Sequence, residues 1–263
     1  MVVVKEPQIK VPETAVRSPK KTIIVVTSDK GGCGKSTVSR TIADMVVRRN
    51  LPTLSFDCDK RNAQLHRYYH QAFSSTFNSD LGVTRLDLSA KGGADKLINS
   101  FDSEETQIIL IDLPAGGGEL FEHLEKEVKL FDLLDEIECQ MTMVSVLSRV
   151  KDSVMSLRTL IDYCGDRVNH VVVKNGYWGT PEKFSRFDNS KTKGLVLQKG
   201  GIIVNFPELY DDTYDLLDDK DMTFSDAIKP ASGLMLADRR RVKVFLDEAE
   251  TELLKAAQFL GLD

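Results

Sequence analysis

The sequence contains few of the residues that stabilise secreted proteins or build membrane spans. Its 263 residues include four cysteines and four histidines, and no two cysteines form a C-x-x-C pair. A disulfide framework or a zinc site is therefore disfavoured. No apolar run approaches the roughly 18 residues needed to cross a bilayer, and the opening MVVVKEPQ has no hydrophobic signal region. We expect a cytoplasmic protein.

The chain also lacks an excess of positive charge. Its net charge is −5, so we do not expect it to coat nucleic acid through bulk charge, although a local basic patch would still allow contact. With 41% hydrophobic and 29% charged residues, the composition is typical of a soluble globular protein. The length suffices for one large α/β domain with a sizeable core.

Strand and helix patterns alternate along most of the chain. Residues 1–20, which carry three prolines among charges, are predicted to form a flexible arm. Residues 21–263 are predicted to form one α/β domain, with a mostly parallel twisted sheet of about seven to eight strands and helices on both faces. The predicted strands are 22–27, 52–57, 107–112, 141–147, 170–175 and 201–206, and the clearest helices are 35–49, 150–161 and 242–260.

A glycine-rich stretch, SDKGGCGKST, lies between the first predicted strand and the first predicted helix. Its glycines let the backbone N–H groups turn toward phosphate oxygens, and the helix dipole adds to the attraction. Lys35 is placed to reach the β- and γ-phosphates, and the Ser36 hydroxyl to ligate Mg²⁺. The predicted nucleotide-binding residues of this loop are Gly31, Gly32, Cys33, Gly34, Lys35, Ser36 and Thr37.

Acidic residues follow two other predicted strands. Asp57 and Asp59 are two residues apart, so in an extended segment both carboxylates would point the same way, toward a magnesium-bound nucleotide. Asp112 ends an apolar strand and is a candidate to hold Mg²⁺ through water. The glycines of 116–118 would allow a mobile loop that senses the γ-phosphate.

Two further strand ends carry candidates for binding the base. Asn175 offers both a donor and an acceptor to an adenine edge, and Phe206 and Pro207 are placed to flank the ring. The alternative for Asn175, which precedes a glycine, is an ordinary turn.

These motifs resemble the deviant Walker A ATPases of the ParA and MinD family. KGGCGKST with its extra lysine is similar to their Walker A box, FDCD to their second acidic motif, and IILIDLPAG to their Walker B strand. The resemblance covers about residues 21–260. Within the group, NGYWGTPEKF, FPELYDDTYDLL, MTFSDAI and RRRVKVF are most similar to the conjugal-transfer TraL proteins and related plasmid mobilisation and stability proteins.

The resemblance implies an ATPase that uses ATP and Mg²⁺ and closes as a homodimer around the nucleotide. Lys30 would cross to the partner's phosphates, while Lys35 holds the subunit's own. Asp59 corresponds to the position needed for hydrolysis, and Asp57 and Asp112 to positions around the magnesium. A protein partner would stimulate slow hydrolysis, in plasmid partition, positioning or conjugative transfer.

The resemblance leaves some partners open. Arg239, Arg240 and Arg241 are explained either by a DNA-contacting patch or by a solvated helix face. The last segment, DEAETELLKAAQFLGLD, is largely acidic at its polar positions, so a basic membrane-binding helix is not expected. An alternative function within the same phosphate-loop class is a small-molecule ligase or kinase similar to dethiobiotin synthetase.

Overall fold

The strands of the chain form one parallel sheet. A computed structural model describes residues 21–28, 30–77 and 82–263, and the arm predicted at 1–20 lies outside this part of the chain. Within the described ranges, seven strands pair in the order β3-β2-β4-β1-β5-β6-β7, and every neighbouring pair is parallel. The strands are β1 (Lys21–Thr27), β2 (Thr53–Asp57), β3 (Val83–Arg85), β4 (Ile108–Asp112), β5 (Cys139–Leu147), β6 (Asn169–Asn175) and β7 (Ile202–Phe206).

Helices connect the strands and cover both faces of the sheet. They are α1 (Lys35–Arg48), α2 (Gln64–Phe77), α3 (Asp95–Ser100), α4 (Gly117–Val128), α5 (Leu130–Glu136), α6 (Lys151–Cys164), α7 (Ser185–Asp188), α8 (Lys191–Gln198), α9 (Asp211–Asp219), α10 (Phe224–Ala227), α11 (Leu236–Leu253) and α12 (Ala257–Leu260). Short 3₁₀ turns occupy Gly176–Trp178, Pro181–Phe184, Pro230–Ser232 and Leu254–Ala256.

The core divides into two layers because side chains of a strand alternate between the faces of the sheet. In β1, Ile24 and Val26 pack in a cluster with α1, α2 and α9 to α12. Ile23 and Val25 pack on the opposite side, in a cluster with α3, α4 and α5. The four consecutive apolar residues 23–26 therefore pack into two separate hydrophobic clusters, one on each face of the sheet. Because both faces are covered, the middle of the strand is apolar on both sides.

Most of the predicted elements are confirmed. The six predicted strands match β1, β2, β4, β5, β6 and β7 to within one or two residues at each end. The sheet is parallel throughout the described residues, whereas the sequence predicted a mostly parallel one. The predicted helix 242–260 is interrupted, because α11 ends at Leu253 and a 3₁₀ turn separates it from α12.

Several elements were not predicted individually, among them β3, α2 and most of the shorter helices. The strand β3 has three residues, too few for an alternation pattern to stand out. The helix α2 is rich in tyrosine, histidine and serine, and it buries Leu65, Tyr68, Tyr69 and Phe73. In a parallel sheet all the strands end at one edge, so the polar residues after β1, β2, β4, β6 and β7 are brought together there.

Candidate functional site

The loop after β1 takes a conformation that requires glycine at two positions. Gly32 and Gly34 have φ angles of 76° and 88°, in the left-handed region that L side chains rarely adopt. A Cβ atom on Gly34 would also lie 2.1 Å from Nδ2 of Asn175. Backbone strain and a steric clash therefore both exclude a side chain at position 34.

The helix that follows the loop is arranged to receive an anion. Helix α1 begins at Lys35, directly after Gly34, without a side-chain cap and without an acidic residue in its first turn. Its first N–H groups have no intrahelical partner, and the helix dipole adds positive potential. This is the arrangement in which helix N-termini bind phosphate. Lys35 itself is only 7% exposed.

A cleft of about 550 Å³ runs from this loop to the end of β7. Its phosphate-loop end is lined by Gly31, Gly32, Gly34, Lys35, Ser36 and Thr37. Asp59, Asn62, Gln64 and Ala115 form one flank. The far end is lined by Asn175, Tyr177, Phe206, Pro207, Glu208, Leu209, Asp211, Tyr214, Asp215 and Phe245. Most of the predicted nucleotide-binding residues thus surround a single cavity.

Two buried carboxylates lie side by side near the loop. Asp57 and Asp112 are register partners at the ends of β2 and β4, and each is 1% exposed. Burial, and secondly the charge of Asp57, raise the pKa of Asp112 to about 7, while Ser39, Ser36 and Lys35 act in the opposite direction. Burial also raises the pKa of Asp57, although backbone N–H donors partly offset this.

Asp112 fits the role of a magnesium-site residue. Neither of its carboxylate oxygens has a hydrogen-bond partner among the described residues, and the hydroxyls of Ser36 and Ser39 lie close without meeting hydrogen-bond geometry. A buried carboxylate without partners is costly, and a nearby cation would offset that cost. Carboxylate and hydroxyl oxygens are ligands that suit Mg²⁺. We retain Ser36, Asp57 and Asp112 as the candidate residues around the metal.

The segment after β2 turns sooner than expected. β2 ends at Asp57, whose carboxylate accepts hydrogen bonds from the backbone N–H groups of Asp59 (3.1 Å) and His66 (3.0 Å). Asp59 in turn accepts from the N–H groups of Arg61 and Asn62. The two carboxylates therefore do not share one side of an extended segment. Asp57 is buried behind the turn, whereas Asp59 lines the cleft.

The base-binding candidates occupy the far end of the cleft in different ways. Asn175 is buried, donates through Nδ2 to the carbonyl of Cys33 over 2.8 Å, and accepts from the N–H of Tyr177. Its amide thereby ties the end of β6 to the phosphate loop. Phe206 is 2% exposed and packs edge-on against Phe245, while Pro207 lies at the surface of the cleft. Adenine contact by these three residues stays a prediction.

The second lysine of the loop has a different environment from the first. Lys30 is outside the set of residues that line the described cleft. Its ammonium pairs with Asp152 in the first turn of α6 over 2.6 Å, with the two side chains 48% and 61% exposed. The hydrogen bond from Lys30 holds the pKa of Asp152 below its ordinary value.

The sequence analysis missed several residues that line the cleft, among them Tyr214, and it also missed Arg40, which bonds to Tyr214. Tyr214 of α9 lines the cavity, and its hydroxyl lies 3.3 Å from Thr37 Oγ1 and 3.1 Å from Arg40 Nη1. Tyr214 is far along the chain from the loop, and although it lies in the stretch FPELYDDTYDLL, nothing in that stretch indicates a contact with the phosphate loop. The position of Arg40 in the helix after the loop was the available signal, because an arginine among the apolar residues of a buried helix face needs a partner.

The strand, loop, helix and paired acids define a P-loop nucleotide-binding protein. More specifically, the chain belongs to the family described as the CobQ/CobB/MinD/ParA nucleotide binding domain, whose match covers residues 24–175. That range begins in β1, ends at Asn175, and includes the phosphate loop and the acidic candidates Asp57, Asp59 and Asp112.

Two curated relatives are similar over most of the chain. Protein MobD of Acidithiobacillus ferrooxidans is 25% identical over 233 residues, which cover 89% of this chain and 96% of MobD. A Protein TraL of Escherichia coli is 26% identical over 251 residues, which cover 89% of this chain and 98% of TraL. The resemblance to the ParA, MinD and TraL group is confirmed.

Solved structures with a similar fold include two of this group. MinD in the MinC:MinD cell division complex of Aquifex aeolicus gives a TM-score of 0.48 at 18% identity, over 85% of this chain and 96% of that one. A plasmid partition protein of Borrelia burgdorferi gives 0.45 at 12% identity, over 86% and 98%. In the part of the chain that the structure describes, none of the helices combines the length and apolar character needed to cross a membrane.

Proposed function

We propose that this protein is an ATP-dependent switch. Two copies close around two ATP molecules, each with Mg²⁺, and slow hydrolysis to ADP and phosphate separates them. Lys35 holds the phosphates of its own subunit, Asp59 supports the attacking water, and Lys30 reaches the phosphates of the other subunit. A bound Mg²⁺ would neutralise charge on the β- and γ-phosphates, held near Ser36, Asp57 and Asp112.

The observation that carries the proposal is the contrast between the two loop lysines. Lys35 is 7% exposed and lines the cleft, whereas Lys30 is exposed, is not among the residues that line the cleft, and pairs with an exposed aspartate. An exposed ammonium outside its own cleft can reach a second molecule when its contacts within the subunit open. A cation supplied across an interface can stabilise transition-state charge by ~10³–10⁵ in rate, as the arginine finger of GTPases does.

The process served by the switch is proposed from the relatives. The names MobD and TraL, and the plasmid partition protein among the similar folds, support a role in plasmid partition, positioning or conjugative transfer. A protein partner that stimulates hydrolysis belongs to this proposal. Contact with DNA through Arg239, Arg240 and Arg241 remains a weaker part of it, because Arg241 already pairs with Asp238 and stacks on Tyr210.

The test is nucleotide-dependent dimerisation of a hydrolysis-deficient variant. We choose Asp59→Asn, because asparagine keeps the Oδ1 acceptor that the N–H groups of Arg61 and Asn62 use. With ATP and Mg²⁺ at micromolar protein, light scattering should report a dimer, and with ADP a monomer. Adding Lys30→Ala should restore the monomer while ATP still binds. Lys255→Ala, which changes an exposed lysine in the 3₁₀ turn after α11, is the matched control and should still dimerise.

The same preparation separates the switch from a small-molecule ligase or kinase. We expect the wild-type protein to turn over ATP well below the typical enzyme rate of about 10 s⁻¹. An Asp59→Asn protein that binds ATP and stays monomeric would rule out the switch. Rapid turnover that depends on an added small acid, and not on a second protein or DNA, would favour the ligase or kinase.

A further inference from the structure

Arg40 is a buried cation without a carboxylate partner. It lies in α1, one and a half turns after Lys35, and is 0% exposed. Among the described residues it forms no ion pair, and its Nε and Nη2 atoms have no hydrogen-bond partner. Burial of a charged group without a partner is costly, so its retention calls for a compensating role.

Aromatic rings surround this guanidinium. Its central carbon lies 3.6 Å from the ring centre of Tyr68, 4.8 Å from that of Phe224 and 5.5 Å from that of Tyr214. Contacts of this kind partly replace the lost hydration of a cation. Among the described residues, the guanidinium makes one hydrogen bond, from Nη1 to the hydroxyl of Tyr214 over 3.1 Å, and Tyr214 lines the cleft.

The direction of the hydrogen bond from Arg40 follows from what each group can donate, and we take Tyr214 as the donor in the second contact, with Thr37. A guanidinium donates and cannot accept, so the Tyr214 oxygen must accept from Arg40. The Tyr214 proton is then left to donate, and its other contact is Thr37 Oγ1 at 3.3 Å. When Thr37 Oγ1 accepts this hydrogen bond, the hydrogen of the Thr37 hydroxyl points away from Tyr214. Since Thr37 lines the cleft, that proton is available to an acceptor there.

We infer that Arg40 and Tyr214 are positioning residues that orient the Thr37 hydroxyl as a hydrogen-bond donor toward a phosphate oxygen of the bound nucleotide. This chain of contacts from Arg40 through Tyr214 to Thr37, which we call the relay, also places a positive charge behind the first turn of α1, where it favours an anionic ligand. The inference rests on nucleotide binding in this cleft, but it needs neither dimerisation nor hydrolysis.

The test is the affinity of the full chain for ADP, measured at protein concentrations where it is a monomer. Tyr214→Phe removes the hydroxyl and keeps the ring, and should weaken ADP binding about three- to tenfold, as expected for one hydrogen bond to a charged or polar group. Tyr210→Phe is the matched control. Its hydroxyl bonds to Asp212 outside the cleft, so ADP binding should not change.

Double variants show whether Arg40 and Tyr214 act on ADP binding through Thr37 or only stabilise the fold. In a Thr37→Val background, Tyr214→Phe should cause no further loss, because the hydroxyl that it orients is already absent. Arg40→Met should weaken ADP binding as well, and its effect should not add fully to that of Tyr214→Phe. The midpoint of urea unfolding for each variant shows whether the fold is retained.

These experiments distinguish a failure of this inference from a failure of the proposed function. Equal ADP affinity for wild type and Tyr214→Phe would overturn the inference while leaving the proposed switch intact. The inference would also be overturned if Tyr214→Phe weakened ADP binding as much in the Thr37→Val background as in the wild type. That result would mean that the tyrosine acts on the nucleotide independently of Thr37. A wild-type protein that binds no nucleotide would overturn both this inference and the proposed function.

Discussion

The residue whose surroundings say most about the site is Asp112. It ends the interior strand β4 beside Asp57, and its carboxylate is completely enclosed without a hydrogen-bond partner among the described residues. A carboxylate in such a place is unstable when ionised, which is what the rise of its pKa to about 7 expresses. A bound cation would favour the ionised form and lower this pKa, whereas in the ligand-free fold ionisation of the buried carboxylate is a cost to stability.

This cost gives a prediction for the nucleotide-free protein. The pKa of Asp112 is raised from 3.8 in its ordinary state to about 7, so between those values the folded protein binds more protons than the unfolded chain. The free energy of unfolding should therefore fall as pH rises through this window. Asp112→Asn cannot ionise and should remove about 2–3 kcal/mol of that dependence between pH 5 and 8.

The measurement is urea unfolding at several pH values in the presence of EDTA, for the wild type and Asp112→Asn. The wild type should lose more stability toward pH 8 than the variant does. Parallel stability profiles for the two proteins would show that the Asp112 carboxylate is not held in its neutral form by burial.

At the scale of elements, a single carboxylate joins three helices on one face of the sheet. Asp44 of α1 is 1% exposed and accepts from the Tyr69 hydroxyl of α2 over 3.0 Å. It also accepts from the backbone N–H and hydroxyl of Ser225 in α10, and from Arg48 one turn along its own helix. The helix that carries the phosphate loop is thereby tied to α2 and α10.

We predict that Asp44→Ala lowers the free energy of unfolding by about 3–5 kcal/mol. The reason is that several buried donors lose their acceptor at once, and such donors cost more than the bond itself is worth. The matched control is Asp247→Ala on α11, which removes an exposed pair with Lys243 and should change stability by about 0.5 kcal/mol or less. A loss under about 1 kcal/mol for Asp44→Ala would contradict this role.

At the scale of the whole molecule, the proposed dimer requires the pairing of Lys30 with Asp152 within the subunit to open. Lys30 cannot reach a second subunit while its ammonium is 2.6 Å from Asp152. The monomer and the closed dimer therefore compete for the same lysine. Because both side chains are largely exposed, salt weakens the ion pair, and the pair shifts the equilibrium only modestly toward the monomer.

We predict that Asp152→Asn strengthens ATP-dependent dimerisation a few-fold at low ionic strength, and that the gain shrinks at 0.5 M salt as screening increases. The comparison is made in the Asp59→Asn background by analytical ultracentrifugation. Asp162→Asn is the matched control, since it removes another exposed pair, with Arg158, from the same helix. Weaker dimerisation of Asp152→Asn would show instead that the aspartate itself is used in the interface.

The sequence determined the parts of this protein that depend on local pattern. Buried β-branched runs such as 22–27 indicate strands of a parallel sheet, because both faces of such a strand are covered. The glycines, lysine and serine of the loop 31–37 are adjacent in the chain, so the sequence alone predicts that this loop binds phosphate. Asp57 and Asp112 could be assigned to one site because parallel strands end at a common edge. β3 and the break after Leu253 gave no comparable local signal.

Only the tertiary structure decided which groups meet across long separations. Asn175 ties to Cys33 across 142 positions, Tyr214 meets Thr37 across 177, and Lys30 meets Asp152 across 122. No local periodicity encodes such pairs, since they depend on how helices pack on the sheet and how each loop turns. The structure likewise decided that Asp112 is enclosed without a hydrogen-bond partner in the part of the chain that the structure describes, because burial is a property of the packed molecule.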